Sequence, residues 1–377
     1  MSWLRSSPDS SNFMPLLTSK AVRAAIVLVA LLLVVVGLLQ LPASGFERLR
    51  DALPVEDARP APGIVDWSRF AYVQYATNAA YLCNSVMLFE ILHRLGSRAD
   101  RLLLYPADYA VDDAGSPEGQ LLRKARDAYG VKLAPIEIQR RSSSDPTWAE
   151  SYTKLLAFNQ TQYDRVLSLD SDSTVLQPMD ELFLLPPCPV AMPRAYWLNP
   201  DDRVLSSQVV LVQPSAFEFQ RVMDGVRHAG ANDYDMEIVN TLYRDSALVL
   251  PHRPYDLLTG EFRSKRHRSY LGSEEEAWDP EKVVAEAKFL HFSDWPVPKP
   301  WIHADESVIE SKQPTCDHNP RTGADDDCRA RDLWRGFYSD FARRREEICG
   351  LSLTKRSERS IQERRPPPRS PYGPVFS

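Results

Sequence analysis

An apolar run, Val166 to Leu169, leads straight into Asp170-Ser171-Asp172. On an extended segment, residues i and i+2 project to the same side, so Asp170 and Asp172 converge while Ser171 turns away. Like charges gathered at the end of a buried strand cost free energy unless a cation shares them. Carboxylate oxygens suit a hard divalent ion, Mg²⁺ or Mn²⁺. The plainer alternative is that one aspartate caps the following turn while the other is solvated. The paired carboxylates of a glycoside hydrolase must flank a scissile bond at about 5–9.5 Å separation. Two groups on one short turn cannot do that.

Two further residues extend the constellation. Of seven histidines, only His291 ends a short apolar run, "FLHF". An imidazole beside two carboxylates shifts the choice of metal towards Mn²⁺; a buried, hydrogen-bonded histidine is the alternative. Lys299 follows eight residues later in the proline-bracketed "PVPKPW". A fixed ammonium near a metal suits a polyphosphate, whereas alone it is a solvated surface lysine.

The chain must position these groups, and its pattern says how. "FAYVQYAT" (70–77), "RLLLY" (101–105), "VKLAPIEI" (131–138) and "RVLSL" (165–169) read as strands. Helical spacing over Tyr81–Leu95, closed by Gly96, and a second helix from Ser116-Pro117 to Gly130 separate the first three. A third helix is expected over about 149–158. Further strands are expected at 208–212, 247–250 and 287–292. This alternation predicts an α/β fold with a largely parallel sheet covered by helices on both faces. Such sheets bind ligands at the carboxyl ends of their strands, where Asp170 and Asp172 stand.

The 377 residues carry a net charge of -6, which gives no footing for a nucleic-acid partner. Residues 24–39 have no polar side chain, and the apolar segment runs on to 41 behind Lys20 and Arg23. As a helix it spans ~27 Å, about one thin bilayer. The positive-inside bias puts residues 1–23 in the cytosol and the bulk in a lumen; a cleaved signal peptide is the alternative. Prolines break 42–66 into a stem. Beyond about 304 the core signal fades, and 351–377 is expected to be a disordered tail. Cys83 and Cys188 read as buried thiols. Among Cys316, Cys328 and Cys349 one pair is expected, Cys316 with Cys328 first. The single sequon is Asn159-Gln160-Thr161, so close to a strand that room for a glycan is in question.

The stretch "SYTKLLAFNQTQYDRVLSLDSDSTVLQPMDELFLLP" (151–186) resembles the central block of glycosyltransferase family 8, the glycogenin-like retaining transferases. "FAYVQYATNAAYLCNSVMLFEIL" and "FLHFSDWPVPKPW" resemble its opening and closing blocks. "YDMEIVNTLY" and "RPYDLLTGEFRS" are similar to its fungal Golgi branch named glucose N-acetyltransferase, whose members are N-acetylglucosaminyltransferases. The likeness covers about 66–304 and implies a GT-A catalytic domain over 67–304, with 305–350 as an extension. It implies a single-pass type II Golgi protein that moves N-acetylglucosamine from UDP-GlcNAc to a mannose-containing glycan. Asp170, Asp172 and His291 would hold Mn²⁺ against the donor diphosphate, and Lys299 would grip that diphosphate. Asp170 and Ser171 would face the ribose. Tyr81 would lie near the uracil, with Thr77 and Asn78 at the same turn. Lys154 would reach the donor, and Asp235 would orient sugar hydroxyls.

Two departures from the family pattern concern the sugar pocket. Ser206-Ser207-Gln208 stands where the family often has Asn-Ser-Gly, and Asp235-Met236-Glu237 where it often has Asp-Gln-Gly. The His291–Lys299 spacing also exceeds that of glycogenin, so this loop must be reshaped. Use of UDP-glucose or UDP-galactose stays open. A catalytically silent, membrane-tethered glycan-binding protein is the reading of another class; it predicts a lost metal ligand, and all three are present.

Overall fold

The computed structural model describes residues 65–139, 150–230, 233–319 and 322–354. The expected anchor at 24–41, most of the stem and the tail beyond 354 lie outside the described residues. Among the described residues, no helix is long and apolar enough to cross a membrane.

Strand β1 (Phe70–Tyr75) leads into helix α1 (Ala79–Arg94). The side chain of Asn78 opens α1 by accepting hydrogen bonds from the amides of Ala80 and Tyr81, so the helix starts two residues before its first expected residue. Strand β2 (Asp100–Pro106), helix α2 (Pro117–Tyr129) and strand β3 (Val131–Ile136) follow. Ser116 caps α2, Pro117 occupies its first turn, and Gly130 closes it at φ 64°, a left-handed conformation that disfavours a side chain. The helix expected over 149–158 is instead a 3₁₀-helix, Ser151–Asn159. Seven of its nine residues are buried, so packing all round overrides the one-sided periodicity of an α-helix. Asn159, at its end, is exposed.

Strands β4 (Arg165–Leu169), β5 (Ser173–Val175), β6 (Val190–Pro193) and β7 (Val209–Val212) come next, then helices α3 (Ala216–Arg227) and α4 (Asp235–Tyr243). Strands β8 (Leu248–Leu250), β9 (Leu257–Leu258) and β10 (Phe289–His291) follow, then a hairpin of β11 (Asp317–Asn319) and β12 (Ala324–Asp327), and helix α5 (Arg329–Cys349).

Seven strands form the main sheet in the order β3-β2-β1-β4-β7-β6-β8. It is largely parallel, with β7 running antiparallel to both neighbours. Both faces are covered. Tyr72 and Leu103 join α1 and α2 in one core cluster, while Ala71, Val73 and Leu102 join the 3₁₀-helix and α4 in another. A small second sheet, β5-β10-β9, stands apart.

Two expectations are corrected at the C-terminal end. The core does not fade past 304: α5 buries Trp334 completely and Phe341 nearly so. Its apolar stripe is narrow, Trp334, Phe337, Tyr338 and Phe341, in a helix otherwise crowded with arginine. Cys83 is also not a free thiol, because it is bonded to Cys349 at the end of α5. The pair Cys316–Cys328 forms as expected. Cys188 stays free but is only partly buried.

A bridge across 266 residues restricts the unfolded chain strongly. Replacing Cys349 with serine is expected to lower the unfolding free energy by about 2–4 kcal/mol, read from the urea midpoint. An unchanged midpoint would mean that packing alone holds α5 in place.

Candidate functional site

The site assembles where β4 ends. Parallel pairing sets Val73 opposite Ser168, so two residues further on Tyr75 draws level with Asp170. Antiparallel pairing sets Val209 opposite Leu169, and the amide of Asp170 donates to the carbonyl of Gln208 at 3.0 Å. The loop entering β7 therefore lies beside the two aspartates. In the second sheet His291 pairs with Ser173, and the amide of Phe292 donates to the carbonyl of Asp172 at 2.9 Å. That register delivers the imidazole to Asp172.

Asp170, Asp172 and His291 each offer one ligand atom, all within 4.8 Å of one another. His291 Nε2 stands 3.2 Å from Asp172 Oδ1 and 4.0 Å from Asp170 Oδ2. The other oxygens face lysines: Lys154 Nζ lies 2.6 Å from Asp170 Oδ1, and Lys299 Nζ donates to Asp172 Oδ2. Each aspartate thus divides its oxygens between a fixed ammonium and the histidine side. Two carboxylate oxygens and an imidazole nitrogen at this spacing fit a divalent ion of the Mn²⁺ or Mg²⁺ type. Among the described residues, His291 Nδ1 is buried without a hydrogen-bond partner, whereas a ligating histidine usually donates from its second nitrogen.

The electrostatics follow from this division. Burial pushes the Asp170 carboxyl up, and Asp172 and Asp235 add to the rise against Lys154 and His291. Burial also pushes Asp172 up, but Lys299 and then His291 outweigh it and hold that carboxyl well below the usual range. The difference is that Lys154 serves two carboxylates, with Asp235 Oδ2 at 3.5 Å. Burial would lower the Lys154 ammonium, yet Asp170 and Asp235 together raise it. Its stabilising contribution is therefore complete below about pH 10.4 and is lost only as pH rises through the higher folded value.

Of the predicted residues, Lys154, Asp170, Asp172, Asp235, His291 and Lys299 come together. Ser171 is buried within the turn. Thr77, Asn78 and Tyr81 stand at the start of α1, beyond the end of β1. Asn78 is used as the helix cap, and the Tyr81 ring meets Trp301 edge-on at 5.2 Å.

Three neighbours went unassigned. Ser207 donates from Oγ to Asp235 Oδ2 at 2.8 Å; its place in the departing Ser-Ser-Gln triplet was the available signal. Tyr75 ends β1 beside the carboxylates, and burial, then Asp170 and Asp235, push its hydroxyl well up. Asp256 is fully buried beside the Ser206 side chain. Burial pushes it well above the carboxylate range, with Asp170 adding to the rise and Ser206 opposing it.

No protein-family model matches the chain. Two fungal proteins named Glucose N-acetyltransferase 1 are similar to it. The one from Gibberella zeae is 61% identical over 307 residues, covering 80% of this chain and 67% of the relative. The one from Aspergillus fumigatus is 52% identical over 309 residues, covering 78% and 80%. Among solved structures, the apo bifunctional glycosyltransferase WbbM matches with a TM-score of 0.49 at 15% identity, over 78% of this chain and 53% of its own.

Lys154→Met would leave Asp170 and Asp235 buried without their shared cation. We expect a loss of about 3–5 kcal/mol at pH 7, measured by urea unfolding with chelator present. The deficit should narrow at pH 5, because Asp170, already raised, takes up a proton first. A deficit independent of pH would contradict this account of Lys154.

Proposed function

Because the chain belongs to the glucose N-acetyltransferase family of glycosyltransferases, we propose that it moves N-acetylglucosamine from UDP-GlcNAc to a mannose-containing glycan. The anomeric configuration is retained, the fold is of the GT-A type, and the metal is Mn²⁺. The observation that carries this reading is the Asp170–Asp172–His291 trio with a lysine on each aspartate. A nucleoside diphosphate needs such a site: a place for a divalent ion, and fixed positive charge that does not have to reorganise.

A divalent ion held there supplies Lewis-acid charge against the donor diphosphate. The residues of the chain do the rest. Lys299 adds a fixed ammonium where negative charge grows as the sugar leaves. Lys154 keeps Asp170 and Asp235 close without mutual repulsion. Asp235, held by Ser207 and Lys154, accepts hydrogen bonds from sugar hydroxyls. Tyr81 borders the base, with Thr77 and Asn78, and Asp170 and Ser171 face the ribose. No side chain stands out as a covalent nucleophile, so we favour a same-face displacement in which a donor phosphate oxygen takes the acceptor proton. Met236, where the family often carries an amide, supports a second reading with UDP-glucose or UDP-galactose as donor.

We also place the enzyme in the Golgi membrane, single-pass and type II, with its catalytic part in the lumen. The support is residues 24–41, apolar apart from Gln40, behind Lys20 and Arg23. The protein should stay in the membrane pellet after alkaline carbonate extraction; release into the supernatant would overturn the anchor.

Asp172→Asn removes one metal ligand and the partner of Lys299. Transfer should fall at least about 10²-fold while the folded far-UV spectrum persists. A panel of UDP-GlcNAc, UDP-glucose and UDP-galactose, run with Mn²⁺ and with chelator, tests donor and metal together. Full transfer in chelator, or by the variant, would refute the mechanism.

A further inference from the structure

Lys299 belongs to a loop, residues 292–303, that contains no helix or strand. A lysine has a long flexible stem, so an ammonium held on Asp172 needs a rigid mount. The mount is visible. Lys299 Nζ also donates to the Phe292 carbonyl at 3.2 Å, closing the loop on itself. Asp294 is buried; its Oδ2 accepts from the Tyr338 hydroxyl at 2.8 Å and its Oδ1 from Arg263 at 3.3 Å. The amide of Val297 donates back to the Asp294 carbonyl at 2.8 Å, so the turn that leads to Lys299 starts from this carboxylate. At the far end, the amide of Thr354 donates to the Trp301 carbonyl and that of His303 to the Thr354 carbonyl, both at 2.9 Å.

Tyr338 and Thr354 both lie beyond the segment expected to be catalytic. Tyr338 is on α5, and Val297 shares a core cluster with Trp334 of the same helix. Helix α5 is itself tied to α1 through Cys83–Cys349 and through Arg345, which donates to Asn84 Oδ1 at 3.0 Å. Burial and then Asp294 push the Tyr338 hydroxyl well up, so it remains a proton donor across the working pH range.

We infer that residues 329–354 clamp the Lys299 loop, and that Tyr338 is a positioning residue. Through Asp294 it sets where the Lys299 ammonium stands for an incoming nucleoside diphosphate. The inference rests on the diphosphate role of Lys299 and extends that role to a helix outside the expected domain. Removing the Tyr338 hydroxyl leaves Asp294 Oδ2 buried and unpaired, so the carboxylate and its turn must shift.

The test is a double-mutant cycle on the full chain in detergent, with UDP as the probe and Mn²⁺ present. Tyr338→Phe should weaken UDP binding about tenfold, with Mn²⁺ binding in the absence of UDP changed less than about twofold. In a Lys299→Met background the same substitution should change UDP binding less than about twofold, because the group it positions is gone. An equal loss in both backgrounds, or none in either, would overturn the clamp. If Lys299→Met alone leaves UDP affinity unchanged, the diphosphate role of Lys299 falls, and the clamp with it. Should Tyr338→Phe fail to fold, a chain ending at Ser352 removes the Thr354 bridge instead. The same Lys299-dependent weakening of UDP binding is expected there, and its absence would count against the proposal.

Discussion

Three carboxylates, Asp170, Asp172 and Asp235, meet two ammoniums, Lys154 and Lys299, at the end of one buried strand. Everything at the site depends on that balance. Carboxylates this close repel, and in a half-buried setting one of them would ordinarily give up its charge. The lysines prevent this by occupying the outer oxygens, so the inner oxygens stay turned towards His291. The division is unequal. Lys299 serves Asp172 alone and depresses it firmly, while Lys154 is shared and leaves Asp170 raised. An added dication would favour the ionised form of Asp170, the carboxylate with the most to gain.

The fold meets this constraint by register. Strand β4 ends level with β1, β7 runs antiparallel beside it, and β10 pairs with β5 so that His291 falls opposite Ser173. A slip of one residue in that last pairing would turn the imidazole to the other face. Lys154 comes from a different device, a 3₁₀-helix packed on nearly every side. It places a fully charged group where a regular amphipathic helix would offer only apolar contacts.

Much of this is legible in the sequence alone. The convergence of Asp170, Asp172 and His291 was legible because an i, i+2 pair on an extended segment projects to one side, and because His291 ends a run of its own. Lys299 was legible through its flanking prolines. Strand β6 was hidden, since Pro189 precedes it, Pro193 ends it, and so short a segment reads as loop. The direction of β7 leaves no mark on an all-apolar tetrapeptide. Ser207 could be seen to depart from a family pattern, but its bond to Asp235 depends on two distant segments meeting. Helix α5 escaped notice because its arginines swamp a thin apolar stripe. Its bond to Cys83 joins residues that share no local signal.

That covalent bond has a consequence for biosynthesis. A ribosome delivers the chain in one direction at about 5–20 residues per second, and Cys83 precedes Cys349 by 266 residues. The earlier thiol therefore waits on the order of tens of seconds for its partner. The bond that ties α1 to α5 closes only after Cys349 has been made, so α1 is secured late.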